Sequence, residues 1–142
     1  MDQCWQYGPQ RLRFIPPLII ADVEGAVTAE QASRLLAKIG ELELGHKACG
    51  LMVIAGTGFS ITADARRHLV STSSSKRPVI PLAVVGTGVV TRTLFTLLLN
   101  AIRLTTRKRV PVAFFSTESE ARKWIVPLIQ ARAAALGESS AS

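Results

Sequence analysis

An α/β fold, a single-domain mixed or largely parallel sheet with flanking helices, follows from three observations on the sequence. Four apolar runs rich in branched residues (18–23, 51–55, 79–85 and 110–115) read as strands. Helical periodicity separates or follows each of them, at 29–42, 62–69, 89–104 and from 117 onward. A chain of 142 residues, 48% of them apolar, supplies one packed core and leaves little room for a second. The alternation places helices over a sheet whose neighbours run parallel.

The elements follow in order. Residues 11–15 are placed to pair antiparallel with 18–23, but Pro16 and Pro17 argue against a tight two-residue hairpin between them. Thr28 and Gln31 stand at capping-box spacing ahead of Ala32, Leu35, Leu36 and Ile39, which predicts a first helix over 29–42. Thr62 caps a second helix through Leu69, with Arg66 and Arg67 toward water, and the serines at 71–75 read as a loop. Pro81 belongs near the start of strand 79–85 or on an edge. Thr117 and Glu120 form a second capping box. Pro127 predicts a break near Val126, a helical extension over 127–136 stopped by Gly137, and a mobile tail at 137–142. The domain core is therefore expected over about 12–126.

Charge is unevenly distributed. Residues 1–71 carry seven basic and seven acidic side chains, and residues 72–142 carry ten and three, so the second half holds the whole net charge of +7. No carboxylate side chain occurs between Asp64 and Glu118. That stretch is expected to meet anions. Cys4 and Cys49 stand far apart with no ligand spacing, which argues against a disulfide framework, a structural zinc site or any other metal site. The start shows no basic segment followed by an apolar run, so a cytoplasmic location is expected, with attachment to the inner membrane face as its extension.

The segment VVGTGVVTRTLFTLLLN, residues 84–100, joins a strand to a helix through two glycines. It is not a dinucleotide fingerprint: Thr91 occupies the third glycine position and no acid follows until Glu118. A Walker ending is also absent. Two readings stay open, an ordinary strand-to-helix turn and anion binding at the helix start. Nor is it a membrane span, because Arg92 and Arg103 bracket only ten residues. Arg92, Thr96, Asn100, Arg103 and Arg107 form a polar stripe at about 100° per residue, flanked by Leu97, Leu99 and Leu104. Such a surface suits a dimer contact, a lipid surface or an acyl-chain pocket, with a fully buried helix as the alternative. Arg107, Lys108 and Arg109 favour the helix C-terminus, and with Arg103 they offer a site for anionic head groups. Nucleic acid ranks lower, for want of interleaved aromatics or a docking helix motif.

No reaction centre assembles from the remaining residues. His46 lies three positions from Cys49 without an orienting third group, and His68 reads as a surface residue. Asp22 and Glu24 read as solvated carboxylates at a strand end, and Trp124, spaced helically from Leu128, as core.

The element order, together with LIIADVEGAVTAEQASRLL, GFSITADARRHL and TLLLNAIRLTTRKRVPVAFFSTESEARKWI, resembles the STAS superfamily in its SpoIIAA-like branch, which is related to CRAL-TRIO lipid-binding domains. The likeness spans about residues 14–125. It implies a non-enzymatic regulatory interaction module without a cofactor, binding a protein partner or a second copy. Its alternative inheritance is lipid binding. Anti-sigma antagonists of this superfamily carry a phosphorylatable serine at the start of a helix; here Thr62 or Ala63 stands at that place, so Thr62 is the remaining phospho-acceptor candidate. The sites expected for a partner or a lipid are Arg92, Leu97, Leu99, Arg103, Arg107, Lys108 and Arg109.

Overall fold

A computed structural model of the chain describes residues 3–45, 49–56, 58–72, 80–86, 89–106 and 111–141. Six strands form the main sheet. β1 (Gln3–Tyr7), β2 (Gln10–Ile15) and β3 (Leu18–Val23) make an antiparallel meander. From β3 the sheet continues in parallel through β5 (Gly50–Ala55), β7 (Leu82–Val85) and β8 (Val112–Phe115), in the order β1-β2-β3-β5-β7-β8. A second ladder, β4 (Ala26–Val27) with β6 (Ser60–Ile61), extends beyond the ends of β3 and β5. The helices are α1 (Ala29–Gly45), α2 (Ala63–Thr72), α3 (Val89–Thr106) and α4 (Glu118–Ala141). The mixed α/β sheet expected from the sequence is what forms.

Local chemistry explains most boundaries. Thr28 and Gln31 close a reciprocal capping box: Gln31 N donates to Thr28 Oγ1 and Thr28 N to Gln31 Oε1, both at 3.2 Å. Thr62 Oγ1 accepts from Ala65 N at 3.1 Å, and Thr117 Oγ1 from Glu120 N at 3.2 Å. In the β1–β2 turn Gly8 takes φ 63°, the conformation a two-residue hairpin loop needs and a side chain resists. Buried Gln10 bolts three elements together. Its Nε2 donates to Glu24 O at 2.9 Å and Gln31 Oε1 at 3.3 Å, while its Oε1 accepts from Glu24 N at 2.9 Å. The end of β3 and the first turn of α1 are thereby fixed to β2.

The two sheet faces carry separate cores. One packs Leu12, Phe14, Ile19 and Val53 under Leu35 and Ile39 of α1, Ala65 of α2 and Phe95 of α3. The other packs Leu18, Ile20, Met52 and Ala83 under Ala121, Ile125 and Ile129 of α4. Each fully buried Leu or Ile side chain contributes roughly 1.5–3 kcal/mol. α4 comes so close to β5 that a Cβ on Gly50 would stand 2.7 Å from Ile129 Cδ1 and 3.0 Å from Ile125 Cδ1.

Several expectations are corrected. Residues 16 and 17 do form the two-residue hairpin loop, with Ile15 paired to Leu18 and a cis Pro16–Pro17 bond. Both prolines fall where the ladder needs no N–H. Ser71 belongs to α2, its Oγ donating to His68 O at 3.1 Å, whereas 73–75 lie outside the described residues. Pro127 neither breaks nor ends α4, and Gly137 does not stop it: the helix runs on to Ala141 through the expected tail. Pro127 is exposed, and the buried row Ala121, Ile125 and Ile129 straddles it, so packing on both sides offsets the lost hydrogen bond. β1, β4 and β6 were not expected.

Two outcomes check this packing. Gly50→Ala is expected to cost about 1–3 kcal/mol by urea denaturation, and Ile129→Val in the same chain to recover part of it. Cys49 is buried, and loss of solvation, reinforced by Glu43, pushes its thiol up from 9.0 to about 11. The folded protein therefore holds a proton that the unfolded chain sheds. Stability from this group is complete below pH 9 and is lost as pH rises toward 11. Wild type should lose stability over that window faster than Cys49→Ala, in paired denaturation curves.

Candidate functional site

α2 and α3 form the least tightly closed part of the helical layer, and the described partner-site candidates Arg92, Leu97, Leu99 and Arg103 lie on α3, with Thr62 capping α2. Thr62 sets the start of α2, which carries exposed Arg66 and Arg67, the latter paired with Asp64. α3 presents three faces. Phe95 and Leu99 turn inward; Phe95 stacks on Phe59 with ring centroids 5.7 Å apart and planes 16° apart. Leu97 and Ala101 turn toward α2. Arg92, Thr96, Asn100 and Arg103 face solvent, as the polar stripe predicts. Arg92 also lies over the Phe114 ring, 5.9 Å from its centroid, which ties this cation to β8.

Between α2 and α3 runs a groove of about 650 Å³, with Leu97, Ala101, Val70 and Ala63 as its apolar surface and Arg66 and Arg67 at its rim. Leu97 is 62% exposed there. Among the described residues Leu44 and Leu128 are also exposed large apolar side chains, but neither lines this groove. Leu99 differs from Leu97 within the expected set: it is half-buried and packs against the core. Arg107, Lys108 and Arg109 lie outside the described residues, as does His46.

Beneath the helices is a second space, an apolar cavity of about 210 Å³. Leu35 and Ile39 of α1, Leu69 of α2, and Phe95 and Leu99 of α3 close it over Val53 of β5. Every described lining residue is apolar. The space is a recess and not a sealed void: Ala21, Ala32 and Val53 lie buried at its inner end, and half-buried Leu36, Phe59, Leu69 and Leu99 lead outward.

The opposite sheet face carries charge where α4 does not reach. Arg13 Nε donates to Asp22 Oδ2 at 2.7 Å and its Nη2 to Oδ1 at 3.1 Å, with Arg11 Nε at 3.3 Å from the same carboxylate. Arg13 Nη2 stands 3.6 Å from Glu118 Oε1, and Arg122 Nη2 3.5 Å from it. Arg11, Asp22, Gln6 and Glu24 border a cleft of about 340 Å³ at the ends of β3 and β5. Asp22 is thus a bridged carboxylate and not the solvated one expected; Glu24 is exposed. Within this cluster both arginines of β2 bond Asp22, whereas Glu118 Oε1 is buried and accepts no hydrogen bond among the described residues, with only the charges of Arg13 and Arg122 beside it.

Other candidates settle into structural places. His68 is half-buried on α2, and Trp124 packs on Phe115 at 5.7 Å. Among the described residues no group of three His, Cys, Asp or Glu could hold a metal ion. Among them, too, no helix is long and apolar enough to cross a membrane. Thr62 uses its hydroxyl oxygen as a cap, which suffices to explain a threonine there. The cavity and the rim role of Arg66 and Arg67 were not legible as sites, because the first needs the mutual placement of three helices and the second that of two.

No family model matches the chain, and no curated protein does. Among solved structures, an uncharacterized protein of the DUF3478 family with a SpoIIAA-like fold, from Shewanella loihica PV-4, superposes with a TM-score of 0.51. The match covers 88% of this chain and 92% of that one at 9% identity. It carries the SpoIIAA-like part of the resemblance and has no bearing on CRAL-TRIO domains. At that identity the likeness is one of fold, and the architecture of this chain is SpoIIAA-like.

Proposed function

We propose that the chain is a non-enzymatic, STAS-like interaction module that docks a protein partner through the α2–α3 groove. The observation that carries this is Leu97, a large apolar side chain left 62% exposed between two helices. Exposed apolar patches rimmed by polar groups mark interaction surfaces. Arg66 and Arg67 rim the groove and Arg103 lies on the neighbouring strip of α3. Two copies meeting groove to groove would oppose like charges, so a partner with an acidic rim and an apolar anchor fits better than a second copy. The proposal assigns no reaction and no cofactor to the chain.

A second reading, favoured by exposed Arg103 beside Leu97, is reversible association with anionic membrane at the inner face. Each basic side chain near such a surface contributes about 1 kcal/mol.

One substitution separates these. Leu97→Asp is expected to reduce capture of the partner from extracts of the source cells at least tenfold, while Leu128→Asp leaves it intact. Urea denaturation should place Leu97→Asp within about 0.5 kcal/mol of wild type, because the site is exposed. Retained capture by Leu97→Asp contradicts docking through this groove. Under the membrane reading, binding to phosphatidylserine vesicles falls with added salt and with Arg103→Glu.

A further inference from the structure

The apolar cavity lies on the other side of α3 from the groove, and the docking proposal makes no use of it. We propose that it is a binding site for a small, uncharged, apolar molecule. Its volume sets the size. An engineered core cavity of roughly 150 Å³ takes up benzene, so the 210 Å³ here corresponds by proportion to about eight carbon atoms.

Its lining sets the chemistry. A buried water needs two to four polar partners, and the described lining side chains offer none. A carboxylate or ammonium group drawn inside would lose its hydration without finding a counter-charge. The ligand is therefore hydrocarbon over the part that enters. Aromatic character is favoured by the stacked Phe59 and Phe95, which both border the space.

Two features separate this cavity from an ordinary packing flaw. Native interiors pack to crystal-like density, with few voids larger than a water molecule. Entry also requires no disruption of the deepest core. Leu36, Phe59, Leu69 and Leu99 are only half-buried and carry the lining outward between the helices, whereas Ala21, Ala32 and Val53 form the closed end.

Toluene is the probe, with the full chain labelled at its Ile, Leu and Val methyls for NMR. Saturable shifts at Leu35, Ile39 and Val53 are expected at millimolar toluene. Leu18, Ile20 and Ile125, which occupy the opposite sheet face, should stay unmoved and so control for non-specific partitioning. At ten times the dissociation constant the melting temperature should rise by about 3–6 °C, while sodium benzoate produces neither effect. Ala32→Leu places a side chain in the closed end and should weaken toluene binding at least tenfold without lowering the melting temperature; Ala21→Val serves in its place if that variant does not fold. The proposal is overturned by equal shifts on both faces, by none up to the solubility limit, or by benzoate binding as toluene does.

Discussion

Parallel strands are buried on both faces, and right-handed crossovers that always advance in one direction can cover only one of them. This constraint governs the molecule. The connections β3–α1–β5, β5–α2–β7 and β7–α3–β8 lay α1, α2 and α3 over a single core, and the other face falls to α4 alone. The intimacy of α4 with β5 at Gly50 follows from that burden, as does its passage through Pro127. One helix cannot span six strands. Where α4 does not reach, β2 and β3 turn arginines and an aspartate outward in place of apolar side chains, and Glu118 of the α4 first turn closes that network against Arg13. The pairing of Arg11 and Arg13 with Asp22 accounts for charge on that part of the face.

The helical layer carries the complementary consequence. α1 is fixed by the Thr28–Gln31 box and by Gln10, so its position is over-determined. α2 and α3 depend on side-chain packing to a greater degree, and the seam they share is where the layer opens, outward as the groove and inward as the cavity. α3 consequently has three environments around one circumference: core, groove and solvent. A helix built only to cover a sheet needs two. Leu97 lies on the third face, and the proposed docking of a partner uses that face.

Much of the fold was legible because strong local signals agreed with the global pattern. Branched runs marked the parallel strands, and Thr28, Thr62 and Thr117 marked three helix starts through hydrogen bonds that span only three residues. The failures share a cause. β1, whose QCWQY sequence lacks a clear apolar alternation, becomes a strand only because β2 offers it an edge. β4 and β6 are two residues each and exist through one another. Pro127 carries a local instruction that packing on either side overrides. For the site, periodicity placed Leu97 and Leu99 on opposite sides of the solvent stripe of α3, about 200° apart, but it could not say which side meets the core and which the groove. Leu97 and Leu99 were therefore grouped together, although Leu97 is well exposed and Leu99 packs half-buried against the core. That division depends on where α2 comes to rest.

The central claim is that the groove flank of α3 is the surface through which the molecule meets its partner. A photo-crosslinking amino acid placed in living cells at position 97, and separately at the equally apolar exposed positions 44 and 128, tests it directly. A discrete adduct formed from position 97 and absent from the other two is the predicted result; no adduct from 97, or the same adducts from all three, would contradict the account.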